Sequence, residues 1–324
     1  MSARDAIAGL QKSVEEQIRG QGALVRQILI GLLANGHLLL ESLPGLAKTR
    51  TVKAFASQLD AQMRRVQFTP DLLPADITGS DVLFQENGQN VFRFQAGPIF
   101  GNLILADEIN RAPAKVQSAL LEAMEERQVS VGGNTHAMPE LFMVLATQNP
   151  IEQEGTYPLP EAQMDRFLMK VLISYPDAES EREVLKLVRG EELVAKARTA
   201  DGARIAQDLV FAARAEVHAV HVADAIDRYV VDLVNATRYP KKYDDTLASW
   251  IQVGSSPRGA IGLDKAARAN AWLSGRDHVT PEDVRAVAHA VLRHRLILSY
   301  DANADGISAD AVVDRLIERV AIPA

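Results

Sequence analysis

The sequence predicts an α/β fold, in which a core with a parallel sheet and hairpin insertions precedes a smaller domain of helices alone. Up to residue 175, short apolar runs of strand length are interspersed with segments of helical periodicity. From residue 176 onwards only the helical pattern continues. Apolar residues make up 47% of the chain and aromatic residues 5%, which favours a core of aliphatic side chains and alanine. We therefore predict two domains, 1–175 and 176–324.

The first domain is predicted to begin with two helices and then to add the strands of the sheet. Ile7, Leu10 and Val14 lie on one face of the first helix, and Asn35-Gly36 ends the second with a left-handed cap. The segment 69–76 is too rich in proline for a regular helix. In chain order, the predicted elements are helices 6–19 and 23–34, strand 37–41, helix 50–59, strands 63–69 and 103–106, helix 113–127, and strands 141–146 and 168–173.

Two hairpins are predicted to project from this core. Asn87-Gly88 stands between the apolar arms 82–84 and 91–94, which is the strongest short signal for a hairpin. Gly132-Gly133-Asn134 stands between 128–131 and 135–137 in the same way.

The second domain shows helical signals throughout. Val222, Ile226, Tyr229 or Val230, and Leu233 form an apolar stripe with a period of 3.6 residues. Thr280-Pro281-Glu282-Asp283 combines a cap residue, a proline in the first turn and acids at the positive end of a helix. The predicted helices are 179–189, 205–215, 222–237, 257–273, 281–294 and 309–319.

Composition narrows the class of protein and its compartment. The net charge of −7 argues against nucleic acid as the main partner, because duplex-binding proteins carry a basic surplus. The chain has no cysteine, so disulfides, thiolate metal sites and a cysteine nucleophile are excluded, and we expect a cytoplasmic location. The apolar runs are far shorter than the roughly 20 residues that span a bilayer, so we expect no transmembrane segment.

The stretch Glu41 to Thr49 has the layout of a phosphate-binding loop. An apolar strand leads into it, a helix leads out, and Lys48-Thr49 stand at the helix start. A lysine there reaches the β- and γ-phosphates, and the threonine hydroxyl ligates Mg²⁺. The usual pattern has glycine at both ends of the loop, whereas Ser42 and Ala47 stand there in this chain. A chance junction of loop and helix therefore remains an alternative for this stretch alone.

A pair of acids forms the second candidate element. The apolar strand 103–106 ends in Asp107-Glu108, which places two carboxylates at the carboxyl edge of the sheet. In nucleotide hydrolases such an aspartate holds Mg²⁺ and the glutamate polarises the attacking water. The alternative is a strand that ends in solvated acids. The phosphate loop upstream favours the catalytic interpretation, because the two elements make one site.

Three further polar residues complete the candidate site. Asn149 ends a core strand, where it could orient the attacking water or contact the γ-phosphate, although asparagine also suits a turn before proline. Arg166 stands at a helix end before a strand and could reach the γ-phosphate in a neighbouring subunit; its alternative is a surface ion pair. Arg258 begins a helix of the second domain, and it could be ordinary decoration of a helix start.

In this order, these elements resemble an AAA+ ATPase and, more narrowly, the MoxR family. The resemblance runs from about Gly20 to the C-terminus. It implies an ATP site with Mg²⁺, in which Ala47 is the family's own residue and Ser42 a departure that would strain the loop if it needed positive φ. The matching stretches are 43–49, 67–74, 97–100, 106–111, 146–150, 152–160 and 161–167.

The resemblance also assigns roles to the candidate residues. Gln67 could act as a polar switch that holds Glu108 back, or it could be a strand residue facing solvent. The segment around Arg19 would lie near the adenine. The implied nucleotide contacts are Gly20, Gln21, Leu43, Pro44, Gly45, Leu46, Ala47, Lys48, Thr49 and Arg50. The implied metal ligands are Thr49 and Asp107, and the implied catalytic residues are Glu108, Asn149, Arg166 and Arg258.

The function that this resemblance implies is an ATPase ring that remodels or matures a protein client. The resemblance makes Arg166 an arginine finger, which acts on the nucleotide that is bound by a neighbouring subunit. We therefore expect a homo-oligomer, a hexameric ring. The resemblance implies a partner with a von Willebrand factor A-type domain. The alternatives are a nucleic-acid motor like the MCM helicases, a nucleotide-gated scaffold with weak hydrolysis, and a motor subunit like that of magnesium chelatase.

Overall fold

The structure is a computed structural model that describes residues 2–18, 20–42, 48–86, 89–150, 155–175, 177–194 and 204–322. The helices are α1 (Ala3–Gln17), α2 (Gly22–Leu33), α3 (Lys48–Gln58), α4 (Pro74–Thr78), α5 (Ala114–Glu126), α6 (Glu161–Met164), α7 (Ala178–Val194), α8 (Gln207–His218), α9 (Asp224–Arg238), α10 (Asp245–Trp250), α11 (Pro257–Leu273), α12 (Pro281–Leu292), α13 (Tyr300–Ala304) and α14 (Ala309–Arg319). The strands are β1 (Leu38–Ser42), β2 (Met63–Gln67), β3 (Gly79–Glu86), β4 (Gln89–Ala96), β5 (Leu103–Asp107), β6 (Gln128–Val131), β7 (Asn134–Ala137), β8 (Met143–Gln148), β9 (Met169–Ile173), β10 (Ile251–Val253) and β11 (Ile297–Leu298).

The central sheet confirms the predicted α/β core. Its five strands stand in the order β2-β5-β8-β1-β9. β5 lies between β2 and β8 and pairs in parallel with both. All five residues of β5 are buried, as expected for an interior strand of a parallel sheet. The strand that ends in Asp107, with Glu108 directly after it, is therefore an interior strand of the sheet.

Both predicted hairpins form. β3 pairs with β4, and β6 pairs with β7, each in antiparallel register. The turn residues Asn87 and Gly88 lie outside the described residues. One expectation near the first hairpin was wrong, because Pro74 begins the short helix α4 within the proline-rich segment. Proline is tolerated in the first turn, where its missing N–H has no intrahelical partner, and the Asp76 carboxylate accepts a bond from the Leu73 N–H at 2.7 Å.

Aromatic side chains join the two hairpins at their bases. The Phe94 ring of β4 stacks on the His136 ring of β7, with centroids 3.7 Å apart and planes inclined by 17°. Phe100 meets Phe94 edge to face at 5.5 Å. Farther out, Leu83, Phe84, Val91 and Phe92 of the first hairpin are exposed. The base of this hairpin is thus packed, while its outer part presents apolar side chains to solvent.

The C-terminal part is helical, as predicted. In α9, Ile226, Tyr229, Val230 and Leu233 of the predicted stripe are buried. Val222, the first residue of that stripe, is only partly buried and precedes the helix, which begins at Asp224. α11 begins and ends at the predicted residues, and so does α14. The structure adds α10, α13 and the antiparallel pair of β10 with β11, which are too short to leave a periodic signal in the sequence.

The chain divides into two compact groups of residues, each held together by contacts among its own members. One comprises 1–27, 37–159 and 172–209, and the other comprises 28–36, 160–171 and 210–324. The second group thus includes two short stretches from before residue 175. The predicted domains, 1–175 and 176–324, remain a prediction.

In the part of the chain that the structure describes, we find no helix that is both long and apolar enough to cross a membrane. The expected cytoplasmic location remains a prediction.

Candidate functional site

Three parallel strands bring the predicted catalytic acids and their neighbours to one edge of the sheet. Gln67 at the end of β2 stands in register with Asp107 at the end of β5. On the other side of β5, Ala106 pairs with Ala146 of β8, so Thr147 follows at the level of Asp107. Ligands of open α/β sheets bind at this edge. The register therefore assembles one site from three separate stretches of the sequence.

Both carboxylate oxygens of Asp107 have hydrogen-bond partners. Asp107 is 7% exposed. Its Oδ2 accepts bonds from Nη2 and Nε of Arg65, at 2.7 and 3.2 Å. Its Oδ1 accepts a bond from the Thr147 hydroxyl at 2.7 Å. A buried carboxylate requires such compensation, so Arg65 supplies the positive charge that Asp107 needs in this structure.

Glu108 has a left-handed main chain, with φ at +57° and ψ at +50°. Few residues other than glycine adopt this conformation, and it is stable only where the surroundings enforce it. The Glu108 N–H donates to the Thr147 hydroxyl at 2.8 Å. Its Oε2 accepts bonds from the Gln67 amide at 2.8 Å and from Arg111 at 3.1 Å. The strained turn thus aims the carboxylate at donors on neighbouring elements.

Arg65 and Gln67 connect the two acids. Nη2 of Arg65, which contacts Asp107, also donates to the side-chain oxygen of Gln67 at 2.9 Å. This bond fixes the orientation of the Gln67 amide, whose NH₂ group then faces Glu108. Gln67 is exposed but does not merely face solvent. A chain of hydrogen bonds therefore runs from one acid to the other.

Arg65 and Thr147 were not among the residues that the sequence predicts for this site. Arg65 stands two residues before Gln67, so strand periodicity places both side chains on the same face of β2. That spacing was the available signal for Arg65. Thr147 stands two residues before the predicted Asn149, but only the register of β8 with β5 shows that its hydroxyl bridges the acids.

The predicted phosphate loop falls mostly outside the described residues. Leu43, Pro44, Gly45, Leu46 and Ala47 lie there, as does the side chain of Lys48. Ser42 is buried as the last residue of β1. The described non-glycine residues with positive φ are Asn35, Glu108 and Arg127. Ser42 is therefore not strained in the way that the sequence analysis considered.

The start of α3 lines a cavity on the described side of this loop. Thr49 and Arg50 contribute to its wall together with Lys53, and the cavity has a volume of about 590 Å³. Nε of Arg50 donates to the main-chain oxygen of Gln17 at the end of α1, at 3.4 Å. Two basic side chains near a helix N-terminus favour an anionic ligand.

Three further residues that were predicted for the nucleotide site lie among the described residues. Asn149 directly follows β8 and is buried. Gly20 adopts a φ of +74° between α1 and α2, a conformation that suits glycine. The main-chain oxygen of Gln21 accepts the Val25 N–H in the first turn of α2. Arg19 lies outside the described residues. The roles of these residues remain predictions.

The two candidate arginines, Arg166 and Arg258, both lie near the carboxylate of Asp165. Arg166 follows Asp165, which caps the end of α6. Oδ2 of Asp165 accepts a bond from the Ser256 hydroxyl at 2.7 Å, and Nη1 of Arg258 lies 3.8 Å from the same oxygen. Arg258 thus approaches the residue next to Arg166, and the catalytic roles of both arginines remain predictions.

The donor atoms present fit a magnesium ion that is shared with a bound nucleotide. Asp107 offers a carboxylate that already attracts a cation, the Arg65 guanidinium. Within the described ranges, no three or more His, Cys, Asp or Glu side chains are grouped to hold a metal. Mg²⁺ in proteins takes one or two carboxylates plus water and phosphate oxygens.

Comparisons with known proteins identify the family of the chain. Residues 37–169 match the family model described as "ATPase family associated with various cellular activities (AAA)". Residues 247–316 match the model described as "AAA lid domain". The first match spans β1, both hairpins and all of the acids discussed above.

Whole-length relatives narrow the family. "Chaperone MoxR1" of Mycobacterium tuberculosis is 49% identical over 313 residues, which cover 96% of this chain and 80% of the relative. "Protein MoxR" of Paracoccus denitrificans is 36% identical, with 99% and 96% covered. A crystal structure of a Cytophaga hutchinsonii protein superposes with a TM-score of 0.89 at 42% identity, covering 99% of this chain and 96% of that one. Sequence, fold and site therefore agree that this chain belongs to the MoxR family of AAA+ ATPases.

Proposed function

We propose that the chain hydrolyses ATP in a Mg²⁺-dependent reaction and uses the energy to remodel or mature a protein client. The observation that carries this proposal is the pair Asp107-Glu108 at the carboxyl end of the interior strand β5, held by Thr147 on one side and by Arg65 and Gln67 on the other. Such a pair at the carboxyl edge supplies a metal ligand and a general base. Membership of an ATPase family supports the same chemistry.

Each side chain has a distinct role in the proposed reaction. Asp107 and the Thr49 hydroxyl would hold the metal, which neutralises charge on the phosphates when bound. Glu108 would accept a proton from the attacking water, which Asn149 would orient. Because Arg65 donates to the Asp107 carboxylate, it would release or share that carboxylate where Asp107 holds the metal. Arg65 also donates to the side-chain oxygen of Gln67, so its movement would loosen the amide that contacts Glu108.

Arg166 and Arg258 would act on the γ-phosphate, Arg166 from a neighbouring copy. We therefore propose a homo-oligomer, a hexameric ring, because head-to-tail contacts close into rings when the rotation permits. The printed name of the 49% identical relative includes the word chaperone, which supports a protein client. A von Willebrand factor A-type partner is proposed from the family resemblance alone.

The first hairpin offers a surface for this client. Phe92 is 70% exposed, and Leu83, which stands opposite it in register, is 52% exposed. Phe84 and Val91 form the next exposed pair. Because side chains alternate along a strand, the two pairs lie on opposite faces of the hairpin. We propose that one of these exposed apolar faces contacts the client, since clustered apolar side chains in solvent mark interaction sites.

The direct test measures ATP turnover and nucleotide affinity with and without Mg²⁺. For Asp107→Asn we expect turnover to fall by about 10²-fold or more, since several kcal/mol of charge stabilisation are lost. Mg²⁺ should also tighten binding of a fluorescent ATP analogue to the wild type but not to Asp107→Asn. Asp60→Asn, which alters an exposed carboxylate, is the control. If Mg²⁺ tightened binding of the analogue equally in Asp107→Asn and in Asp60→Asn, the assignment of Asp107 as a metal ligand would be wrong.

The alternative functions give different results in the same assays. Tight ATP binding with negligible turnover, even with a partner present, would identify a nucleotide-gated scaffold. Turnover that DNA stimulates with a steep dependence on salt would identify a nucleic-acid motor.

The contact between Gln67 and Glu108 yields a second prediction. Gln67→Leu removes the amide that holds the carboxylate, so we expect basal turnover to rise about fivefold, the equivalent of one hydrogen bond of ~1 kcal/mol. Steady-state ATPase assays would measure it, with Gln62→Leu, at an exposed residue just before β2, as the control. A fall in turnover would mean that Gln67 supports catalysis instead of restraining it.

A further inference from the structure

One buried guanidinium, that of Arg295, holds the turn that contains Arg166. The side chain of Arg295 is 3% exposed. Its Nη2 donates to the main-chain oxygens of Asp165 at 3.1 Å and of Phe167 at 2.7 Å. Its Nη1 donates to the main-chain oxygen of Leu168 at 3.1 Å. These acceptors flank Arg166 in the chain, so the guanidinium fixes the main chain from which the Arg166 side chain projects.

The same guanidinium also reaches the carboxylate that lies near Arg258. Nε of Arg295 donates to Oδ1 of Asp165 at 2.9 Å. Oδ2 of that carboxylate receives the Ser256 hydroxyl, and Ser256 caps the helix on which Arg258 is the second residue. The carboxylate of Asp165 therefore connects Arg295 with the start of α11.

The charges of this cluster favour a fixed arrangement. Burial lowers the pKa of Arg295 to about 10, which still leaves the guanidinium charged at neutral pH. Burial and the neighbouring Arg295 lower the pKa of His294 well below its ordinary value, so the imidazole is neutral. Its Nε2 lies 2.8 Å from Nη1 of Arg295 and, having no charge, does not repel it. Arg295 and Asp165 are thus the pair whose charges compensate each other.

We propose that Arg295 is a positioning residue that sets Arg166 and Arg258 jointly, through the main chain around Arg166 and through the shared carboxylate of Asp165. This inference rests on the proposed catalytic roles of the two arginines. A planar fork with several donors suits the task, because it binds carbonyls and a carboxylate at once in a fixed geometry. A lysine at this position would keep the positive charge but would lack the planar set of donors.

The test compares Arg295→Lys with the wild type in ATP turnover and in equilibrium binding of a fluorescent ATP analogue. We expect kcat to fall on the order of 10²-fold, as for a catalytic group displaced by about 1 Å, with the affinity for the analogue unchanged. Arg315→Lys is the matched control, because Arg315 is a partly buried partner of Asp244 elsewhere in the same group of residues. Unchanged kcat in a folded Arg295→Lys variant would overturn the proposal.

A double variant separates positioning from simple stabilisation. If Arg295 acts through Arg166, adding Arg295→Lys to Arg166→Ala should lower kcat by much less than it does in the wild type. A purely structural role would make the two losses multiply, and that result would contradict the proposal. If Arg166→Ala alone leaves turnover unchanged, the proposed function of Arg166 is wrong, which distinguishes that failure from a failure of the positioning role.

A second, milder variant applies if Arg295→Lys does not fold. Ser256→Ala removes the hydroxyl that donates to Asp165 and that also caps α11 by accepting the Arg258 N–H, while the bonds of Arg295 remain. We expect kcat to fall about fivefold, the equivalent of one hydrogen bond of ~1 kcal/mol, and the melting temperature to fall by the few degrees that the loss of a helix cap causes. Wild-type kcat in this variant would show that the carboxylate of Asp165 does not transmit orientation to the arginines.

Discussion

Replacing Glu108 by glutamine should reduce ATP turnover to about 1% of the wild-type rate or less, while ATP still binds. The carboxylate is the proposed general base, and general bases contribute roughly 10²–10⁴-fold to a rate. Glutamine has nearly the same shape and keeps an oxygen that can accept the bonds from Gln67 and Arg111. The substitution therefore removes the basic group and preserves the surrounding contacts.

The measurement combines steady-state turnover with binding of a fluorescent ATP analogue. Glu122→Gln changes an exposed acid on α5 and should behave like the wild type. Wild-type turnover in Glu108→Gln would show that the site assignment is wrong. The same variant, held in its ATP-bound state, is the suitable bait for isolating a client or a von Willebrand factor A-type partner.

Replacing Arg166 by alanine should lower turnover by about 10³-fold or more, the effect typical of an arginine that stabilises phosphoryl transfer. ATP affinity of the isolated subunit should change little, because the proposed target is the phosphate bound by a neighbouring copy. Arg166→Lys should restore only part of the rate, since an ammonium group cannot form two parallel bonds.

Mixing two inactive variants tests the action in trans. Arg166→Ala subunits keep their own Glu108, and Glu108→Gln subunits keep their own Arg166, so mixed rings should regain activity that neither variant shows alone. Arg182→Ala is the control, because Arg182 forms an exposed ion pair with Glu179. A mixture that stays inactive, or a fully active monomer at micromolar concentration, would contradict the proposed ring mechanism.

Local sequence patterns were sufficient to predict most of the fold. Buried strands such as β5 and long amphipathic helices such as α9 carry their periodicity within one short window. Asn35-Gly36 and Gly132-Gly133-Asn134 likewise determine their turns locally. The short strands β10 and β11 could not be predicted, because they exist only by pairing with each other across a long stretch of chain.

The candidate site divides in a similar way. Asp107 and Glu108 were predictable because they follow an apolar strand directly. The roles of Thr147 and Arg65 depend on strand register, which no local window contains. The position of Arg295 after a helix does not reveal its role, because its acceptors, the Asp165 carboxylate and main-chain oxygens around Arg166, lie far earlier in the chain. Such contacts arise from tertiary packing alone.

The stacked rings of Phe94 and His136 have a consequence for how the family varies. Two rings whose centroids lie 3.7 Å apart lose much of their mutual contact if either hairpin shifts alone. The two hairpins should therefore move as one rigid unit whenever the core beneath them rearranges. In related proteins, a change of residue at position 94 should then be accompanied by a compensating change at position 136.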